Sequence, residues 1–258
     1  YPHSHRVLCI GRIQEGMLPT TGAPLSDTQH SLSALGFDCS ANNQMKVASH
    51  RGMVKPPSGF HRVINLPDEY WVFDFTRGPQ TDFENPFLYS IGKYDERRLG
   101  MYTAPLFGGV RNHHVGLDIG APVHTPVYAF SDGIIHSFGD NAEDGSYGPT
   151  IITEHTVALP LHVGSDQVGT AEKIWVLHGH LSRESLDGLE IGQRIVAGEQ
   201  IATLGAKHEN GGWAPHLHLQ LSVSEPTEHD LPGVVDEDEK LQALLDYPDP
   251  RLIVGPVY

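Results

Sequence analysis

Between residues 125 and 223 the chain alternates short runs of β-branched and aromatic residues with Gly, Pro and Asp: TPVYAF, GIIHSF, PTIITEH, KIWVLHGH, QRIVAG, QIATLG and HLHLQLSV. Runs of this length bounded by turn residues predict strands, and the tight Gly or Asp turns between several of them predict antiparallel neighbours. Upstream, FHRVINL (60–66) and YWVFDFT (70–76) predict two more. The stretch RGPQTDFENPFLYSIGKYDERRLGMYT (77–103) has no clean period and reads as a long ordered loop that covers something. One helix is expected in DEDEKLQALLDY, with Leu241, Leu244 and Leu245 on one face, acidic residues at its N-terminus and YPDPR ending it. In the first 58 residues, SDTQHSLSALGF suggests a short helix capped by Ser26 or Asp27, and MVKPPSG reads as a linker. The expected fold is mainly β, a largely antiparallel sheet or sandwich with an N-terminal extension and a short C-terminal helix. The expected organisation is an extension or small domain of unassigned role over 1–90 and a second domain over 91–258.

Composition narrows the function more than the fold. With 39% hydrophobic and 19% charged residues the chain has an ordinary globular make-up, and no apolar run approaches the roughly 18 residues of a membrane span. The expectation is a soluble protein, exported or cytoplasmic. Thirty-two acidic against seventeen basic residues leave a formal charge of −15, which repels phosphate-rich partners and argues against nucleic acid. Only Cys9 and Cys39 are present, so neither a disulfide framework nor a cysteine-based zinc site is available. The chain begins at Tyr1 without a signal-peptide pattern.

Three stretches carry candidate chemistry: HHVGLD (113–118), LHGHLS (177–182) and PHLHL (215–219). Residues two apart on a strand share a face, so His216 and His218 leave the sheet side by side. Each stretch alone has a plain structural reading, a turn with a capping Asp for the first and hydrogen-bonded strand histidines for the others. Seventeen histidines make such pairs common. Imidazole and carboxylate together are nonetheless a standard zinc donor set.

HVGLD, followed by IGAPVHTPVYAFSDGII, resembles the first metal motif of the lysostaphin-type zinc endopeptidases, the LytM-like peptidoglycan endopeptidases. GHLS, GLEIGQRIVAGEQIATLG and WAPHLHLQL resemble the rest of that signature in the right order, over a region of 112–223. The resemblance implies one zinc ion held by His114, Asp118 and His218, two catalytic histidines at His180 and His216, and a peptide or peptidoglycan-like substrate. It assigns no role to His113, His155 or His178, which are expected to be structural or to support the ligands. Within the family, YGPTIITEH, LSRESL and NGGWAPHLHLQL look closest to variant domains fused to class-III aminotransferases and kinase-like domains.

The donor chemistry agrees with that implication. Two His and one Asp leave a fourth tetrahedral position open, the pattern of a catalytic zinc. No His-Glu-x-x-His occurs, since HENGG at 208 lacks the second His, so there is no Glu base of that kind; the two histidines that the resemblance names can take the proton transfers and the oxyanion contact. The same donor set serves non-haem iron oxygenases, which usually space His and Asp two apart rather than four and would leave His216 unexplained. A metal-holding or peptide-binding domain without turnover is a third reading. GLEIGQRIVAGEQIATLG also resembles lipoyl and biotinyl carrier hairpins, but it lacks the carrier Lys. Trp213 and the loop 77–103 are expected to line the groove, and the N-terminal segment is a candidate to occlude it.

Overall fold

The computed structural model describes residues 46–49, 54–80 and 85–258. These belong to Gln44–Tyr258, the second of two units into which the chain divides, the first being Tyr1–Asn43. The helix expected at 26–37, both cysteines and residues 1–45 of the candidate occluding segment fall outside this description.

The architecture is mainly β, as the pattern predicted. In chain order the strands are β1 Lys46–Ser49, β2 Glu69–Val72, β3 Ser90–Gly92, β4 Glu96–Arg97, β5 His113–His114, β6 Leu117–Gly120, β7 Pro126–Tyr128, β8 Gly133–Asn141, β9 Gly148–Pro160, β10 Val168–Gly179, β11 Arg194–Ile195, β12 Gln200–Thr203, β13 His216–Ser222 and β14 Val234–Val235. Nine of them form one sheet in the order β1-β2-β3-β6-β13-β10-β9-β8-β11, antiparallel except between β2 and β3. The pair β12-β7 and the triplet β14-β5-β4 make two smaller sheets. The large sheet thus draws β1 and β2 from within the 1–90 segment, and β3 straddles its end.

Alternation along the central strands separates a core face from a site face. On β13, Leu217, Leu219 and Leu221 join Leu117 and Ile119 of β6, Val176 of β10 and Val127, Phe130, Ile201 and Leu204 of the β7-β12 side in one buried cluster. The intervening His216, His218 and Gln220 face the other way, alongside a smaller cluster of Tyr147, Ile152, Trp175, Leu177 and Leu231. Burying a Leu-sized side chain contributes about 2 kcal/mol, so the apolar row fixes which face of β13 meets the core.

Four local expectations change. FHRVINL is not a strand: the adjacent Val63 and Ile64 are both buried, which period-two geometry with one covered face does not allow, and backbone bonds reach the β7 side only from His61 N to Phe130 O (2.7 Å) and from Tyr128 N to Val63 O (2.9 Å). The strand in YWVFDFT stops at Val72 because Asp74 accepts from Thr76 N (3.2 Å) and Thr76 Oγ1 (2.6 Å), capping a 3₁₀ turn at Phe75–Arg77. The loop 77–103 contains β3 and β4, three and two residues long, too short to show a period. The C-terminal helix is α1, Lys240–Asp246, followed by a single turn α2, Arg251–Val254. Its buried side is Ala243, with Leu244 and Tyr247, against Val115 and Val235. Leu241 and Leu245 are 80% and 70% exposed.

Buried histidines tie this fold to pH. His155 donates from Nδ1 to Asp132 O (3.0 Å), and its Nε2 lies 2.8 Å from Thr153 Oγ1. Burial pushes its pKa down to about 4, and that of His178 to about 3. Both stay neutral in the fold while the unfolded chain takes up protons below about 6.5. Stability from these groups is therefore intact above pH 6.5 and falls as pH drops toward 4, by on the order of 3 kcal/mol from His155 alone. Urea unfolding between pH 7 and 4 should show this fall, and His155→Gln should flatten part of it.

Candidate metal centre

The site begins with strand register. His218 of β13 sits directly opposite Asp118 of β6, and His216 opposite Gly120. Directly opposed residues on antiparallel strands share a face with their Cβ atoms about 5 Å apart. On the far side of each residue the neighbouring strand presents a glycine: Gly92 of β3 opposite Asp118, and Gly179 of β10 opposite His218. A Cβ on Gly92 would lie 2.9 Å from Arg98 Nη2 and 3.0 Å from Asp118 Oδ2, so the space that these side chains occupy exists because no side chain stands there. His114 arrives from β5, which is held between β4 and β14.

Three atoms meet. His114 Nε2, Asp118 Oδ1 and His218 Nδ1 form a nearly equilateral triangle with edges of 3.2, 3.2 and 3.1 Å. The outer nitrogens of both rings have acceptors: His114 Nδ1 donates to Lys93 O (2.9 Å) and His218 Nε2 to Gln220 Oε1 (3.0 Å). With the ring protons fixed outward, two lone pairs and a carboxylate oxygen point at one another. That arrangement is repulsive unless a cation lies among them. A tetrahedral zinc with bonds of about 2.0 Å separates its ligands by roughly 3.3 Å, so the triangle fits one face of that tetrahedron. Burial holds the pKa of His114 down at about 4, with Arg98 adding to the effect. Burial alone would raise that of Asp118, but His114 and the Arg98 guanidinium keep it well below the usual carboxylate range.

His180 and His216 stand beside the triangle. Their ring centroids are 4.2 Å apart, and His216 Nε2 is 3.8 Å from Asp118 Oδ1. Each is oriented by a backbone carbonyl, His180 Nδ1 donating to Asn210 O (2.8 Å) and His216 Nδ1 to Ala214 O (2.7 Å). That leaves both Nε2 atoms as the free ring nitrogens. His180 follows β10 with φ +63°, a left-handed conformation that is uncommon and strained outside glycine. Burial lowers the pKa of both rings, helped at His180 by its two histidine neighbours, so both are neutral near pH 7.

All five sequence-predicted residues thus line one cleft of about 910 Å³. Trp213 and, from the stretch 77–103, Pro79, Gln80, Ser90, Gly92, Arg98, Met101 and Tyr102 line it too, and the connection from β13 to β14 adds Glu228, Asp230 and Leu231. His155 and His178 are elsewhere: His178 pairs with Leu219, on the core face. His113 turns to Asp95, with Nε2 2.7 Å from Oδ1.

The residue that sequence reading passed over is Arg98, 2% exposed. Its Nη1 donates to Asp118 Oδ2 (2.6 Å) and Tyr102 Oη (3.1 Å), its Nη2 to Lys93 O (3.0 Å) and its Nε to Glu96 Oε2 (3.0 Å). The only available signal was an Arg in an aperiodic segment twenty residues before Asp118.

Comparison with known proteins finds similarity over part of the chain. Residues 112–229 match the model of Peptidase family M23. Among solved structures the chain is similar to the catalytic domain of a mutant of the prophage-encoded M23 protein EnpA from Enterococcus faecalis, at 21% identity over 62% of this chain and 95% of that one, with a TM-score of 0.36. It is similar to the catalytic domain of the antimicrobial peptidase lysostaphin from Staphylococcus simulans, at 22% identity over 60% and 92% with a TM-score of 0.35. It is also similar to a zinc-containing peptidase from Vibrio cholerae, at 22% identity over 59% and 40% with a TM-score of 0.34. A comparison with curated protein sequences gives no match.

The packing around the triangle makes one prediction. A Cβ on Gly116 would collide with the imidazole of His218. Gly116→Ala should displace that ring and cut zinc uptake at equilibrium dialysis by roughly tenfold or more. A folded variant with unchanged uptake would contradict the packing described.

Proposed function

We propose that this chain, which carries a LytM-like domain of Peptidase family M23, is a zinc-dependent endopeptidase that hydrolyses a peptide-type amide. Peptidoglycan cross-links are the substrate class that its resemblance to the lysostaphin-type enzymes implies. The observation that carries the reading is the triangle of His114, Asp118 and His218, with donor atoms 3.1–3.2 Å apart and both outer ring nitrogens anchored. These three residues are the proposed ligands. A zinc ion held there would supply an acidified water, with a pKa brought toward about 7, and a Lewis acid for the carbonyl to be attacked.

The chain's own residues do the rest. His180 and His216, locked by Asn210 O and Ala214 O, present neutral Nε2 atoms to the cleft. One Nε2 accepts the proton of the attacking water, and the resulting imidazolium returns it to the leaving amine. The other neutral Nε2 accepts a hydrogen bond from the attacking water or the leaving amine and orients it for that transfer. The aromatic side chains of Phe73, Phe75, Phe107 and Trp213 in the lining exclude water around the scissile bond and strengthen these interactions.

The test is mass spectrometry of purified muropeptides and of a mixed protein digest, each incubated with zinc-loaded protein and with a chelator-treated control. New chelator-sensitive amine termini in the muropeptides are the expected result. Cleavage confined to the digest would move the substrate elsewhere, and no cleavage in either would refute turnover. His218→Ala should lose both bound zinc and activity. His180→Ala and His216→Ala should keep zinc and lose about 10²–10⁴ in rate; full turnover in either would refute its assigned role.

A further inference from the structure

We propose that Arg98 is a positioning residue of this metal centre: its guanidinium fixes Asp118 as a single-oxygen ligand and aims His114, and so sets the affinity of the site for its metal. The inference rests on the ligand set proposed above and adds to it a residue outside that set.

The two oxygens of Asp118 have separate partners. Oδ1 faces His114 Nε2 and His218 Nδ1, while Oδ2 receives Nη1 of Arg98 at 2.6 Å. A carboxylate torsion is soft and broad. Without a partner on Oδ2 the group is free to turn and offer both oxygens to the cluster. A short charge-assisted bond from a planar guanidinium removes that freedom. Arg98 also reaches His114 through one intermediary, since Lys93 O accepts both Arg98 Nη2 (3.0 Å) and His114 Nδ1 (2.9 Å). One side chain therefore holds two of the three ligands in register, and a third Arg98 bond holds Tyr102 Oη at the cleft.

The guanidinium is itself over-determined. Its Nε donates to Glu96 Oε2, and Glu96 Oε1 accepts from Phe75 N (3.1 Å). Gly92 leaves the room in which Nη2 and Asp118 Oδ2 sit. Four acceptors lie around one planar fork, a geometry that a Lys ammonium on a flexible stem does not reproduce. A bare structural ion pair would need only Glu96. The bonds to Asp118 and to the His114-bearing carbonyl are what a supporting shell for a metal requires.

The test is zinc affinity, measured by competition with a chromophoric chelator, together with the visible spectrum of the cobalt-substituted protein and thermal unfolding for each variant. Arg98→Gln should weaken zinc binding by roughly 10–100-fold and change the cobalt spectrum. Arg98→Lys should recover part of the loss, and Glu96→Gln, which keeps Arg98 on Asp118, should bind as the wild type does. Should Arg98→Gln fail to fold, Arg98→Lys carries the test. Wild-type affinity and spectrum in a folded Arg98 variant would overturn the inference while leaving the ligand set standing. An equal loss in Glu96→Gln would overturn it as well, because the effect would then belong to the buried pair. A wild-type chain with no zinc affinity would overturn the metal reading and this inference with it.

Discussion

The register between β6 and β13 is the constraint on which the site depends. It runs as a row across four strands, Gly92 on β3, Asp118 on β6, His218 on β13 and Gly179 on β10, each directly opposite the next. Two of the proposed ligands are bracketed by two glycines, which have no side chain. The register is enforced from the opposite face: a slip of one residue would turn Leu117, Ile119, Leu217 and Leu219 out of the core and drive Asp118, His216 and His218 into it. The apolar cluster, which does no chemistry, decides where the chemistry stands.

Around that row the polar groups form a nearly closed network. Each ring nitrogen of His114 and His218 has an assigned direction, and Arg98 distributes its N–H groups over Asp118, Lys93, Glu96 and Tyr102. The connection after β13 closes over the same row, with Tyr147 Oη donating to Leu231 O (3.0 Å) and Gln220 Nε2 to Pro232 O (3.3 Å). Buried polar groups at this density are favourable only when satisfied together. His180, one of three non-glycine residues with positive φ among those described, stores strain next to the cleft.

How much of this was legible follows from the length scale of each signal. β8, β9, β10 and β13 announced themselves because seven to thirteen residues are enough for composition and alternation to show. β3 and β4 were invisible at three and two residues, where pairing is imposed by neighbours rather than encoded locally. FHRVINL misled because hydrophobic content without alternation marks burial, not a strand. The C-terminal helix was legible as a helix, but its buried side was not, because Ala243 contributes little to a hydrophobic pattern and Leu241 and Leu245 much. At the site, spacing put His216 and His218 on one face, and the family resemblance supplied the candidate roles. Arg98 had neither pattern nor motif, since its partners at Lys93, Glu96, Tyr102 and Asp118 are scattered by a loop whose course only the fold reveals.

β13 has a further consequence through its place in the chain. It separates β6 from β10 in the sheet, so the two have no shared edge until it inserts, and the contact between Asp118 and His218 spans 100 positions of sequence. Pairings of that range form late and slowly compared with local hairpins such as β9-β10. A chain emerging from its N-terminal side therefore holds His114 and Asp118 well before residues 216–222 exist to complete the set. The three donor atoms of the triangle come together only once the strand in the middle of the sheet has paired on both of its sides.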